Sequence, residues 1–331
     1  MKRIGVLTSG GDAPGMNAAI RTVVRAVISW GGSVTGIRRG FHGLINGDFE
    51  EMTSRSVADI VQRGGTILKS ARSDQFMTEA GRNLAVRRLR EAEIDALVVI
   101  GGDCSFRGAL ELTKMGFPAV GVPATIDNDI ACTDASIGFD TAVNTVIDAI
   151  DKIRDTATSH ERTYVIETMG RRSGFIALWS GLAGGAESIL IPEFGLDIAE
   201  VCERIEQSHA MGKTHSIVIV AEGLFGDPHA PGVTESAGFR VARMIRERTG
   251  FEVRVTVLGH LQRGGTPTAA DRILASRLAY RAAELAMAGV GGKMVGMVNN
   301  RVEAFDIERA VEESKGIERH YYELAQVLSS L

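Results

Sequence analysis

Short, almost unbroken apolar runs separated by helical stretches organise this 331-residue chain. The runs Arg3 to Thr8, Ala96 to Ile100, Ala119 to Val122, Thr163 to Glu167, Ile217 to Ala221 and Val253 to Leu258 predict β-strands. Because they are apolar along most of their length rather than alternating, they read as parallel strands covered on both faces. After the first run, Ile20, Val23, Val24, Val27 and Ile28 recur at helical spacing, and Gly31-Gly32 ends that helix. The strand-loop-helix alternation continues along the chain and predicts an α/β fold of doubly wound, mainly parallel sheets, with ligands at the carboxyl ends of the strands. The length exceeds the ~100 to 200 residues of an ordinary domain, so one very large unit or two lobes are expected, and two lobes suit a cleft enzyme.

Composition narrows the classes. Hydrophobic residues make up 44% and charged residues 24%, enough apolar material for a core and no signature of disorder. The net charge of -4 gives no global basic field, so nucleic acid is not expected as a partner and any anion site must be local. Cys104, Cys132 and Cys202 are far apart and lack metal-binding or redox spacing, which fits a reduced cytoplasm. The apolar run Ile4 to Leu7, broken by Gly5, is too short for a signal peptide, and no segment approaches the ~20 apolar residues of a membrane span. No membrane partner is expected. The stretch at 226–232 reads as a surface loop or inserted turn, and QRGGT, present at 62–66 and 262–266, reads as two anion-friendly loops rather than a repeat.

Candidate chemistry gathers in the loops that leave three predicted strands. TSGGDAPGMN, from Thr8 to Asn17, precedes a helix, so its glycines and the helix start can turn N–H groups towards a phosphate. The same letters also suit a tight strand-to-helix turn. The loop is neither GxGxxG nor GxxxxGK[ST], which argues against a dinucleotide dehydrogenase and a P-loop enzyme. In Gly101-Gly102-Asp103-Cys104-Ser105 an acid sits inside the glycine turn; beside a phosphate it calls for an intervening cation such as magnesium, the alternative being a helix cap. Pro123-Ala124-Thr125-Ile126-Asp127-Asn128-Asp129 carries two acids that can divide proton removal and charge offset in a transfer to an alcohol, the alternative being a surface turn. On one sheet edge the three loops supply what a nucleotide-magnesium-acceptor site needs.

Together, TSGGDAPGMNAAIR, RGGTILKSAR, VIGGDCS, PATIDNDI, ETMGRRSG and LGHLQRGGTPTAADRILASR, spread from about Ile4 to Met297, resemble the bacterial 6-phosphofructokinases of the phosphofructokinase A family. The resemblance implies two doubly wound, mainly parallel-sheet lobes with the active site in the cleft between them: a nucleotide-binding lobe of 1–138 plus about 258–306, and a sugar-phosphate-binding lobe of 139–257 plus about 307–331. It implies ATP-dependent phosphorylation of fructose 6-phosphate at its 1-hydroxyl, with Mg2+, by a cytoplasmic homo-oligomer, a tetramer with shared active sites. By the same resemblance Asp127 is the base, supported by Thr125 and Asp129, and Asp103 is the metal residue. Gly11, Arg72, Ser73, Gly102, Cys104 and Ser105 fall at nucleotide positions, with Arg72 also set to stabilise the transferring group. Met169, Gly170, Arg171 and Glu222 match substrate contacts. The sugar's 6-phosphate is assigned to His260 and Arg263 of one subunit and to Arg162 and Arg254 of its neighbour. Taken singly, such an arginine or histidine is an ordinary surface or packed residue; only the motifs raise it.

Two departures from the family pattern matter. ATP users usually carry Gly where Cys104 and Ala124 stand, and diphosphate users carry Asp and Lys; the small, uncharged pair here is expected to accept ATP. At the family's effector site Arg21, Arg25, Arg154, Glu187 and Lys213 match, but Ser54, Arg55 and Met211 replace the usual Arg, Tyr and Lys, which implies weak effector binding. A diphosphate-dependent phosphofructokinase, or a kinase of another sugar phosphate, fits the same site. A non-catalytic sensor is opposed by the retained acids and arginines, and a nicotinamide oxidoreductase by the missing GxGxxG.

Overall fold

The structure, a computed structural model, describes residues Met1–Ser329. Its elements begin with β1 (Arg3–Ser9), α1 (Met16–Ser29), β2 (Ser33–Ile37), α2 (Gly40–Asn46), β3 (Phe49–Met52), α3 (Glu79–Glu91), β4 (Ala96–Gly101), α4 (Asp103–Lys114), β5 (Ala119–Pro123) and α5 (Phe139–His160). They continue with β6 (Thr163–Thr168), α6 (Phe175–Ala183), β7 (Ser188–Leu190), α7 (Ile198–Ala210), β8 (Ser216–Ala221), α8 (Ala237–Thr249) and β9 (Val253–Val257). The chain ends in α9 (Ala269–Ala288), β10 (Lys293–Val298), β11 (Arg301–Asp306), α10 (Ile307–Glu312) and α11 (Arg319–Ser329). Each of the apolar runs forms a strand whose ends lie within one residue of the predicted ones.

Contacts divide the chain into two units. Unit 1 holds Met1–Ile126, Ile130–Thr141 and Arg263–Lys315, and its sheet runs β11-β10-β5-β4-β1-β2-β3. The strands from β10 to β2 are parallel, while β3 and β11 close the edges antiparallel. These edge strands, FEEM and RVEAFD, mix charge with apolar residues as solvent-facing edges do, so apolarity alone did not single them out. One face buries Leu89, Leu97, Phe106, Leu112 and Met294. Helix α10 adds Ile307, Ala310 and Val311 to this core, so the returning segment extends to Lys315 rather than stopping near 306. The other face is covered by α1, through Ile20, Val23, Val24 and Val27, and by α9, whose alanines 275, 279, 282, 283 and 286 let the two helices pack closely.

Unit 2 holds Asp127–Asp129, Ala142–Gln262 and Gly316–Leu331. Its sheet, β7-β8-β6-β9, is parallel throughout, and the central strand SIVIVA is wholly buried. Val165, Val218, Val220, Ile205, Val241 and Ile245 form the core beneath α7 and α8. Asp127–Asp129 pack with this unit although unit 1 flanks them on both sides in the chain. The two QRGGT copies do not repeat a fold; their backbones abut, and a Cβ on Gly64 would lie 2.3 Å from the Gly265 carbonyl oxygen.

Candidate active site

In unit 1 the three singled-out loops leave neighbouring strands at one level. Ser9 pairs with Gly101, and Gly101 with Pro123, so β1, β4 and β5 end side by side in register. The Ala124 amide donates to the Gly101 carbonyl at 2.9 Å. Ser70 Oγ donates to the Gly10 carbonyl at 2.7 Å, and Thr8 Oγ1 donates to the Lys69 carbonyl at 2.9 Å, which ties the segment leading to exposed Arg72 and half-buried Ser73 to the end of β1. Helices α1 and α4 start on this edge with no side-chain cap, whereas Thr78, Asp197 and Thr268 cap α3, α7 and α9. The uncapped amides and the positive helix end therefore face the loops. Ser105 Oγ, buried in the first turn of α4, has no hydrogen-bond partner among the described residues. An orphan hydroxyl beside open helix ends fits a phosphate ligand.

Arg263 lies over Gly11, whose Cβ position is 2.5 Å from the guanidinium, so any side chain there would displace Arg263. Arg263 Nη1 donates to the Asp12 carbonyl at 3.2 Å, so a residue assigned to the sugar phosphate is tied to the residue after Gly11 across 251 positions of sequence. Thr125 is buried, and its carbonyl accepts a 2.7 Å bond from Ser136 Oγ. Behind it, Asp271 accepts from the Gly138 and Thr141 amides, each at 2.8 Å, and from Thr141 Oγ1 at 2.5 Å. Burial pushes the Asp271 carboxyl up. Cys104 is exposed in the first turn of α4, while Ala124 is buried, so neither places a charge on the edge.

Asp103 opens α4 and is partly exposed, with its carboxylate paired to Arg107. Among the described residues no group of three or more His, Cys, Asp or Glu is placed to hold a metal. That donor set does not suit a resident metal cage. It fits magnesium carried in by a nucleotide, since this ion keeps its waters and takes only one or two carboxylates beside the phosphates.

In unit 2 the turn 169–173 is built around carboxylates and amides. Glu222 Oε1 accepts from the Gly170 amide at 3.2 Å and the Arg171 amide at 2.7 Å, and the Met169 amide donates to Gln262 Oε1 at 3.2 Å. Arg171 has a left-handed φ of 55°, and Gly170 leaves no room for a side chain, its Cβ position lying 2.3 Å from the Ser173 carbonyl oxygen. Ser173 Oγ donates to the Asp127 carbonyl at 3.0 Å, which anchors Asp127 to this turn. Asp129 is exposed, and Asn128 between the acids adopts a φ of 53°, which Asn tolerates. Arg172 pairs with Asp227 at 2.9 Å and Arg171 with the same carboxylate at 3.9 Å. The His229 amide, followed by Arg172, holds Asp227 below the usual carboxylate range.

Arg162 and Arg254 are brought together on Glu252, Arg162 at 2.8 Å. His260 is exposed in the short turn Gly259–Arg263. Of the effector residues, Lys213 and Arg154 reach buried Glu187 at 2.6 and 3.6 Å, while Arg21 and Arg25 lie one turn apart on α1. Arg107, Asp227, Glu252 and Asp271, the partners of these residues, were not among the expected site residues, although Asp271 lies inside the motif LGHLQRGGTPTAADRILASR. Arg107, spaced i,i+4 from Asp103, and Asp271, three residues after Thr268 at a helix start, carried a signal in the sequence.

Fold and edge define a doubly wound α/β protein whose glycine-rich loops leave adjacent parallel strands at their carboxyl ends. The chain belongs to the phosphofructokinase family, whose model, described as "Phosphofructokinase", matches residues 3–286. It is 59% identical to the ATP-dependent 6-phosphofructokinase of Halothermothrix orenii over 332 residues, covering 99% of this chain and 100% of that protein. It is 56% identical to the ATP-dependent 6-phosphofructokinase of Bacillus subtilis over 329 residues, with 99% and 100% covered. Among solved structures, Pichia pastoris phosphofructokinase in the T-state superposes with a TM-score of 0.86 at 35% identity; the match covers 94% of this chain and 37% of that longer one. Among the described residues no helix is long and apolar enough to cross a membrane.

Proposed function

We propose that this protein is an ATP-dependent 6-phosphofructokinase that transfers the terminal phosphoryl group of ATP to the 1-hydroxyl of fructose 6-phosphate in the cytoplasm. The level ends of β1, β4 and β5, with two uncapped helix starts and the orphan Ser105 hydroxyl, carry this reading, and the ATP-dependent relatives favour ATP over diphosphate. Unit 1 takes the nucleotide: Gly11, Gly102 and Ser105 line its phosphates, Arg72 and Ser73 follow from the tethered 66–70 segment, and Cys104 stands at the loop turn. Asp103 holds magnesium, which when bound neutralises charge on the phosphate oxygens. Unit 2 takes the sugar: Met169, Gly170, Arg171 and Glu222 position the acceptor, and Arg162, Arg254, His260 and, from unit 1, Arg263 bind its 6-phosphate, with the pair Arg162 and Arg254 supplied by a neighbouring subunit.

Asp127 takes the proton of the attacking hydroxyl, and its carbonyl bond to Ser173 keeps it beside the Arg171 turn. Thr125, two residues away in sequence, and Asp129 orient the reacting group; positioning and electrostatics supply most of the rate. A coupled assay with purified protein, ATP, magnesium and fructose 6-phosphate tests the activity, and strong preference for diphosphate refutes the donor. Asp127→Ser is expected to lower kcat by about 10²- to 10⁴-fold with little change in sugar affinity. Retained kcat removes Asp127 from the role of base.

A further inference from the structure

Asp103 and Arg107 stand four residues apart on α4, on one face, with the acid on the N-terminal side that favours such pairs. Arg107 Nε donates to Asp103 Oδ2 at 3.0 Å and its Nη2 to Oδ1 at 3.3 Å, so the guanidinium fork covers both carboxylate oxygens. The same Nη2 donates at 3.0 Å to the carbonyl of Val311, in the last turn of α10, which pins the side chain from a second element.

A divalent cation needs at least one of the two oxygens that Arg107 holds. Each oxygen keeps a lone pair that Arg107 does not use, so the cation can share the carboxylate, but the Val311 carbonyl pins the guanidinium beside it, where it repels the cation. We propose that Arg107 is a positioning residue that sets the divalent-cation requirement of the donor site: it holds Asp103 as an internal counter-ion and competes with a metal ion for the charge of its carboxylate. The inference rests on the assignment of Asp103 to the metal.

The test is electron paramagnetic resonance of Mn2+ titrated into the full chain with a non-hydrolysable ATP analogue. Arg107→Met is expected to lower the Mn2+ concentration at half-saturation by roughly two- to fivefold, the scale of a partly exposed pair. Arg107→Lys, which keeps charge without the fork, falls between Arg107→Met and the native chain, and the native-to-Met difference narrows as sodium chloride rises. Unchanged or weaker Mn2+ binding by Arg107→Met overturns the proposal; the second result would assign Arg107 to the nucleotide phosphates instead. Asp103→Asn separates the layers. If it leaves Mn2+ binding where it was, the metal assignment and this inference fall together; if it weakens binding while Arg107→Met does not strengthen it, this inference alone falls.

Discussion

Single residues at this site act through partners that no motif names. Asp271 is 1% exposed and accepts bonds from three donors of the 138–141 segment, which follows Ser136, the residue that holds the Thr125 carbonyl. An amide side chain cannot accept all three bonds, so Asp271→Asn is expected to destabilise the fold by about 1–3 kcal/mol in urea titrations. Its pH dependence has a defined sign. Burial raises the folded carboxyl above its unfolded value, so the folded chain binds more protons in the window between the two. The contribution of the Asp271 carboxyl is then full below the ordinary carboxylate range and is lost as pH rises through that window. The deficit of Asp271→Asn relative to the native chain should accordingly be largest at acidic pH and shrink towards neutrality; a deficit that grows with pH contradicts the raised value. Asp127, Asp103 and Arg171 were legible because they lie in contiguous motifs. Glu252 and Asp227 were not, and Asp271, though inside a quoted motif, gave no hint of its role, because their partners are set by folding rather than by spacing along one element.

At the level of elements, the helices divide by how they begin. Thr268, Asp197 and Thr78 cap α9, α7 and α3, while α4, like α2, α6, α8 and α10, has no side-chain cap, and at Gly102 its first amides are open to the phosphate assigned there. Gly102 has an extended backbone that accepts any residue, and a Cβ there would meet Thr125 no closer than 3.5 Å. Gly102→Ser should therefore fold with stability within a few tenths of a kcal/mol of the native chain, as glycine and serine caps differ little. Its hydroxyl would claim the amides assigned to phosphate, so calorimetry should register weaker binding of the magnesium-ATP complex. Undiminished affinity would mean that the α4 amides do not hold the donor. Strands were legible where the apolar run is unbroken, as in ALVVIG, and lost where an edge is charged, in β2 and β10, whose runs a glycine interrupts, and where a strand has only three residues, as in β7.

For the whole molecule, the pairing of Arg162 and Arg254 on Glu252 makes one cationic unit of two residues from separate strand regions. If a neighbouring subunit lends that unit to the site, Asp127→Ser and Arg254→Ala chains must complement each other. Co-expressed and randomly assembled, they should recover about a quarter of native sites, since half of the paired subunits are mixed and each mixed pair has one intact site. Activity no higher than that of the separate variants would assign Arg254 to its own subunit's site, and sedimentation of the same mixture reports the oligomer.

The sequence by itself determined the strands with unbroken apolar runs, the helix that follows the first of them, the glycine and acid content of the loops and the family they resemble, because burial and turn formation leave local periodic marks. Tertiary structure alone decided that β1 lies between β4 and β2, that Ser9, Gly101 and Pro123 come level, that Arg263 packs on Gly11, and that the second QRGGT lies against the first. Strand order and register arise from pairings across long stretches of chain, whose free energy depends on the whole core and leaves no periodic trace at either partner.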